Sequence, residues 1–303
     1  VGLTVGPGET LALVGESGCG KTTLARMIGL LLEPSSGTIR FEGKDLGRFS
    51  KSALKALRRR IGIVFQDPYA SLNPRMRVGR IISEPMVIHS IGTRQERRER
   101  AIELLEKVGL RGEDSGRLPR AFSGGQRQRI AIARALAAGP DLLIADEPLS
   151  ALDVSIQSQI LNLLMDLRDE MGLAILFISH DLAVVETIAH RVAVLYLGRI
   201  VETATRDDLF NNPRHPYTRS LIAAIPDIAR RKDDFANGEK PLAAAGDVPS
   251  PLNPPAGCPY HPRCSLATGL CSEISPPLEP VAGDRGHLAA CHLASQLPEE
   301  GER

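Results

Sequence analysis

The sequence predicts an α/β domain followed by an irregular, proline- and cysteine-rich C-terminal extension. Three observations carry that prediction. An apolar run, Leu11-Ala12-Leu13-Val14, leads through a glycine-rich loop into an apolar segment at residues 23–32 that reads as a helix. Two later apolar runs end in polar residues: Leu142-Leu143-Ile144-Ala145 before Asp146-Glu147, and Ala174-Ile175-Leu176-Phe177-Ile178 before Ser179-His180-Asp181. After Val201 the composition changes. Ten of the 22 prolines fall between Pro241 and Pro280, too many for regular helices or central strands.

The first loop reads Gly15-Glu16-Ser17-Gly18-Cys19-Gly20-Lys21-Thr22, a full G-x-x-x-x-G-K-T pattern between a strand and a helix. Its glycines let the backbone curl so that successive N–H groups face a phosphate. The following helix N-terminus adds a field that favours anions. Lys21 is expected to reach the terminal phosphates, and the Thr22 hydroxyl to sit on Mg²⁺. A glycine turn before a helix also occurs with no ligand. The lysine, the threonine and both flanking elements together argue against that reading.

The strand-like Ile61-Gly62-Ile63-Val64-Phe65 precedes Gln66, which alone could be a turn residue. Residues 67–120 then change character. Asn73-Pro74 and Glu84-Pro85 punctuate short segments, and residues 94–110 form a charged amphipathic helix. A second glycine loop, Ser123-Gly124-Gly125-Gln126, opens an amphipathic helix that reaches Leu136. Ser123 can cap that helix, while Gly124 and Gly125 leave N–H groups open to phosphate. Arg127, Arg129 and Arg134 on the helix read as a solvated or packing face.

The acids Asp146 and Glu147 lie at a strand's carboxyl end, where ligands of open α/β sheets gather. Asp146 fits a Mg²⁺-side acid, and Glu147 a residue that orients or deprotonates an attacking water. His180 also closes a strand, within reach of a γ-phosphate. One nucleotide has no need of two phosphate loops from one molecule. The pairing predicts that one chain's first loop faces another chain's second loop across ATP.

Taken in order, these motifs resemble the ATP-binding subunits of ABC transporters: Walker A at residues 15–22, Q-loop at Gln66, and signature Phe122-Ser123-Gly124-Gly125-Gln126. Walker B at residues 142–146 with catalytic Glu147, D-loop Ser150-Ala151-Leu152-Asp153 and switch His180 complete the set. Phe122 stands where leucine is usual. The resemblance runs from Val1 to about Glu202. It implies a P-loop NTPase ABC ATPase fold, a RecA-like core plus a helical subdomain at about residues 67–139. The nucleotide-binding domain would be residues 1–205, and the extension residues 206–303.

The ATP-binding set it implies is Gly15, Ser17, Gly18, Cys19, Gly20, Lys21, Thr22, Thr23 and Gln66. Ser123, Gly124, Gly125 and Gln126 would meet ATP held by a partner, with Asp153 in the D-loop. Thr22, Gln66 and Asp146 would hold Mg²⁺. In the family an aromatic upstream of Walker A stacks on adenine. Here the chain opens at Val1-Gly2-Leu3-Thr4-Val5, directly on the strand before the loop, so it is expected to be a piece of a longer chain. Base–aromatic stacking contributes roughly 1–3 kcal/mol in other nucleotide sites, and affinity would fall without it.

Two more stretches resemble the dipeptide and oligopeptide importer branch: Gln66-Asp67-Pro68-Tyr69-Ala70-Ser71-Leu72-Asn73-Pro74, and His215-Pro216-Tyr217-Thr218-Arg219-Ser220-Leu221 with an apolar helix to Ile225. The branch implies two transmembrane permease subunits, an external solute-binding protein, and a second ATPase, identical or related. Nickel, glutathione or another small solute would be served by the same machinery. A soluble ABC ATPase acting on ribosomes or DNA usually carries two cassettes or a long coiled coil; this chain shows one cassette and no sustained heptads.

The near-neutral charge of +1 implies neither a nucleic-acid nor an anionic-membrane partner. No run approaches the roughly 20 apolar residues that span a bilayer, and no signal peptide pattern is seen. The expected place is the cytoplasmic face of the membrane, docked on separate permeases. Of five cysteines, Cys19 reads as a space-filler in the loop. Cys258, Cys264, Cys271 and Cys291 are spaced C-x5-C-x6-C-x19-C, not the C-x2-C of common zinc knuckles, but a cytosolic chain rarely keeps disulfides, so the cluster favours metal. Four thiolates suit [4Fe–4S] or Zn²⁺ equally by count. The resemblance tilts the expectation to a [4Fe–4S] cluster, with zinc or no metal as alternatives. His261 and His292 are possible substitute ligands.

Overall fold

All five residues of Thr10–Val14 (β1) are buried, as a strand covered on both faces requires. The computed structural model describes residues 1–150, 152–225, 249–251, 253–281 and 284–297. Ala151 of the expected D-loop and Pro241 of the proline run lie outside them.

The chain forms two compact units. One comprises residues 5–10 and 22–178; the other comprises residues 1–4, 11–21 and 179–303. The strands after β1 are Arg40–Phe41 (β2), Lys44–Asp45 (β3), Ile61–Val64 (β4), Leu142–Asp146 (β5) and Ala174–Ser179 (β6). Arg191–Tyr196 (β7), Arg199–Thr205 (β8), Glu279–Val281 (β9) and Asp284–Ala289 (β10) follow. The helices run Lys21–Ile28 (α1), Lys51–Arg59 (α2), Pro68–Ser71 (α3), Val78–Ile88 (α4), Arg94–Lys107 (α5) and Gly124–Leu136 (α6). Then come Val154–Met171 (α7), Leu182–Ile188 (α8), Arg206–Asn211 (α9), Pro216–Ala223 (α10) and Gly269–Glu273 (α11).

In the unit of residues 5–10 and 22–178, β4 pairs in parallel with β5, and β5 in parallel with β6. Parallel neighbours need crossovers, supplied here by the helices between them. The register sets Val64 beside Ala145 and Asp146 beside Ile178, so Gln66, Asp146 and Glu147 emerge at one end of these strands. Residues 67–141 hold four helices and two short 3₁₀ turns, with no strand among the described residues. Helix α6 sinks Ile130, Ala131, Ile132, Ala133 and Leu136 into the core.

Three helix boundaries differ from the sequence reading. Helix α1 stops at Ile28 rather than Leu32, because Leu30 turns to φ +58° after Gly29. Helix α5 starts on a capping box, with Thr93 Oγ1 accepting from Glu96 N–H and Glu96 reaching back to Thr93 N–H; it ends at Lys107, two residues before Gly109 at φ +75°. Helix α4 runs through Pro85 instead of breaking there. Val78, Ile81, Ile82 and Met86 are buried, and that packing outweighs one missing backbone bond.

In the other unit, β1 pairs in parallel with β7, β7 antiparallel with β8, β8 with β10, and β10 with β9. The extension was expected to hold no regular central strand. It supplies one: β10 lies between β8 and β9, because residues 284–289 fall beyond the proline run that ends at Pro280. Below it, Glu202 is fully buried on β8. Its carboxylate accepts the N–H groups of Arg214 (2.6 Å) and His215 (3.0 Å), and meets His287 Nε2 at 2.7 Å. That arrangement ties β8, β10 and the start of α10 together.

Candidate nucleotide site

The glycine loop follows β1 as expected. Gly15 takes φ +156°, and a Cβ there would lie 2.2 Å from the Leu195 carbonyl oxygen, so only glycine lets the loop pass β7 at this point. Lys21 is buried, and its Nζ donates to the carbonyls of Gly15 (2.7 Å) and Glu16 (3.0 Å). The loop closes on itself through Cys19 N–H to Glu16 O, and Gly198 N–H anchors it by donating to Cys19 O. Cys19 is buried, as a space-filler should be, and burial pushes its thiol pKa up against the opposing pull of Lys21.

Thr22 Oγ1 donates to Asp146 Oδ1 at 3.3 Å, bringing together two expected Mg²⁺ ligands. Gln66 Nε2 donates to Glu147 Oε2 at 2.9 Å. Glu147 itself is unusual: it stands at φ +47°, a left-handed conformation that costs an L-residue about 1–2 kcal/mol. Its backbone is held on both sides. Its N–H donates to Ile178 O, and its carbonyl accepts from Ser150 N–H and Ser150 Oγ. Such over-determined strain gathers at functional positions. His180 is exposed just past β6, followed by Asp181, which caps α8 through Ala183 and Val184 N–H.

Ser123 caps α6 in a reciprocal box: Gln126 N–H donates to Ser123 Oγ (3.3 Å), and Ser123 N–H to Gln126 Oε1 (3.0 Å). Gly124 and Gly125 form the first helical positions, as phosphate binding at a helix start requires. Arg127, read from sequence as part of a solvated or packing face, stacks its guanidinium 4.1 Å from the Tyr69 ring centroid and donates to Pro119 O. Arg134 is packed too, donating to Ser71 O at 2.5 Å. Asp153 is the N-cap residue of α7, exposed and with no side-chain capping bond.

Sequence reasoning missed a second set of groups on the first loop. Glu16 N–H donates to Tyr217 Oη at 2.9 Å, and the Glu16 carboxylate takes two hydrogen bonds from Arg263 at 2.8 and 3.0 Å. The one available signal was a carboxylate inside an anion-binding loop, a charge that demands a partner.

Cys258, Cys264, Cys271 and Cys291 line one small cavity with His215, Tyr260, His261 and His292. Burial raises the thiol pKa of Cys258 and Cys264, and pushes that of Cys291 up to about 11. The cavity measures about 20 Å³, room for little more than one water. Among the described residues no three His, Cys, Asp or Glu side chains stand in metal-ligating geometry. The expected iron–sulfur cluster therefore gains no support from the arrangement of these thiols beyond their shared cavity. Among the described residues, too, no helix is long and apolar enough to cross a membrane.

Comparison with known proteins agrees with these motifs. Residues 1–150 match the family "ABC transporter", and residues 201–271 match "Oligopeptide/dipeptide transporter, C-terminal region". A probable peptide ABC transporter ATP-binding protein, y4tS of Sinorhizobium fredii, is 57% identical over 97% of this chain and 81% of its own length. The dipeptide transport ATP-binding protein DppF of Escherichia coli is 50% identical over 95% of this chain and 84% of its own. A dimeric ATP-binding cassette solved in a post-hydrolysis state with ADP and Pi superposes with TM-score 0.61 at 32% identity, over 67% of this chain and 88% of that one. A glycine loop closed around Lys21, acids at the strand ends and a capped Ser-Gly-Gly helix thus sit in a chain that belongs to the ABC transporter family of ATP-binding proteins.

Proposed function

We propose that this chain is the ATP-hydrolysing subunit of a membrane importer for dipeptides or oligopeptides. The observation that carries the reading is the pair of contacts Thr22–Asp146 and Gln66–Glu147, between residues that this reading assigns to Mg²⁺ and to the attacking water. The two peptide-transport relatives and the match of residues 201–271 support the choice of cargo.

In this reading the N–H groups of Gly15, Ser17, Gly18, Cys19, Gly20, Lys21, Thr22 and Thr23, with Lys21 Nζ, hold the phosphates, and Lys21 exchanges its two carbonyl partners for phosphate oxygens. Mg²⁺, when bound, would neutralise developing charge at the β- and γ-oxygens, held by Thr22, Asp146 and Gln66. Glu147 releases Gln66, orients a water in line with the γ-phosphorus and accepts its proton. His180 donates to a γ-phosphate oxygen. Ser123, Gly124, Gly125 and Gln126 close over ATP held by a second ATPase, as the dimeric relative suggests. Asp153 lines the same interface.

Residues 1–205 form the nucleotide-binding domain, with a helical subdomain at about 67–139 facing the permeases; residues 206–303 form the extension. The partners are two transmembrane permeases, a second ATPase and an external solute-binding protein. The chain acts peripherally at the cytoplasmic face. The four cysteines, converging on one cavity, are assigned to a [4Fe–4S] cluster in preference to zinc. Iron and acid-labile sulfide assays on anaerobically purified full-length chain test it.

The test of the activity is reconstitution of the full-length chain with its permeases in proteoliposomes. Peptide-loaded binding protein should stimulate ATP hydrolysis, and Glu147→Gln should bind ATP, hold the two ATPase subunits together and turn over at least a hundredfold more slowly. Full turnover by that variant would remove Glu147 from the mechanism. Stimulation by nickel or glutathione, with none by peptides, would replace the cargo.

A further inference from the structure

Glu16 poses a physical problem. It is the second residue of a loop that gathers N–H groups for a polyanion, and its own carbonyl accepts from Lys21 Nζ and Cys19 N–H. A free carboxylate on that backbone would repel the phosphates and compete for the Lys21 ammonium. The structure shows where the charge goes. Arg263 grips it in a two-pronged pair, and the Arg263 side chain is only 8% exposed. The planar fork fixes the direction of Glu16 as well as cancelling its charge.

Arg263 is itself held in place. Its guanidinium lies 5.9 Å from the ring centroids of both Tyr196 and Tyr260 and donates to Tyr196 Oη at 3.5 Å, while the Arg263 backbone N–H donates to Tyr260 O. Tyr196, Tyr217 and Tyr260 pack with centroids 4.7–5.3 Å apart. Tyr217 Oη takes the Glu16 N–H, so this donor is committed away from any phosphate. Carboxylate pairing raises the already high pKa of Arg263, and burial raises that of Tyr217, so neither changes charge near neutral pH.

We propose that Arg263 is a positioning residue for ATP binding: from the C-terminal extension it neutralises Glu16 and turns that carboxylate away from the phosphate-binding loop. This rests on the ATPase reading above. The loop's charge balance is thus completed by a residue 247 positions later in the chain. Arg263 touches no phosphate in this scheme; it acts through Glu16.

The test is a charge cycle in the assembled, reconstituted transporter, with KM for ATP and kcat measured separately. Arg263→Met should raise KM for ATP about tenfold while kcat moves less than threefold. That is the size expected of one unmasked unit charge acting across a loop in a partly screened site. Arg263→Lys should recover part of the loss. When Glu16→Gln is already present, Arg263→Met should raise KM no more than about twofold further. An Arg263→Met penalty that is equally large on Glu16→Gln, or that falls on kcat alone, overturns the proposal, because a packing role predicts both. Lys21→Ala separates this failure from that of the ATPase reading. If Lys21→Ala loses ATP binding while Arg263→Met binds normally, the positioning role alone falls. If Lys21→Ala binds and turns over normally, both fall.

Discussion

The strain at Glu147 can be measured by comparing Glu147→Ala with Glu147→Gly. Both variants lose the hydrogen bond from Gln66 and the carboxylate, so their difference isolates the backbone at φ +47°. Alanine keeps the Cβ penalty of about 1–2 kcal/mol in the left-handed region. Glycine escapes it but gives up roughly 0.4–1 kcal/mol through the greater freedom of the unfolded chain. The balance favours glycine by about 1 kcal/mol. For a chain larger than 250 residues that corresponds to a rise in melting temperature of about 2 °C or a little less. The assay is urea denaturation and calorimetry of the nucleotide-free full-length chain, followed for both variants side by side. Neither variant should turn over ATP, since neither retains the carboxylate. If Glu147→Gly melts at or below Glu147→Ala, the backbone stores no strain there and the argument is refuted. Confirmation would show that the position proposed for catalysis is kept at a cost in stability.

Ser123→Ala removes the α6 cap and should cost about 1 kcal/mol in urea denaturation, with Ser123→Asn recovering most of it. Gly125→Ala places a Cβ 2.5 Å from Ile156 Cγ2, so overpacking should destabilise the chain by about 1–3 kcal/mol; Ile156→Ala in the same chain should return part of that loss. His215 is buried, and burial lowers its pKa to about 4 from an ordinary value near 6.5. The unfolded chain therefore takes up this proton first as pH falls. Stability from this residue is complete above about 6.5 and is lost progressively towards pH 4. His215→Asn, whose side-chain oxygen can still cap Tyr217 N–H, should flatten that part of a stability profile taken from pH 7.5 to 4.5.

The parts of the site legible in the sequence are those whose chemistry is local. Lys21 and Thr22 follow a strand and glycines, and Ser123 stands three residues before Gln126, so cap and loop can be read along a few positions. Asp146 and Glu147 were legible because an apolar run of strand length ends on them. The fate of Glu16 was not legible, since Tyr217 and Arg263 are brought to it by the path of the extension. Helix α4 running through Pro85 and strand β10 in the extension were missed for a related reason. Local punctuation suggested breaks, but burial of Ile81, Ile82 and Met86, and the pairing of Leu288 with Thr203, decided the outcome. For the four cysteines, the sequence suggested a common role, and the fold brings them to one cavity.

Strands β9 and β10 also have a consequence for solubility. Without them β8 would stay paired with β7 along one edge and open the other, where β10 now pairs at Glu202 and Thr203, on a strand with five of its seven residues buried. A row of free N–H and C=O groups on an apolar strand is a template for joining another chain. The extension occupies that row with β10 and then finishes on β9, only three residues long and carrying Pro280, which has no N–H to offer. A chain cut before Glu279 would keep every phosphate-binding residue and still be prone to polymerise through its sheet.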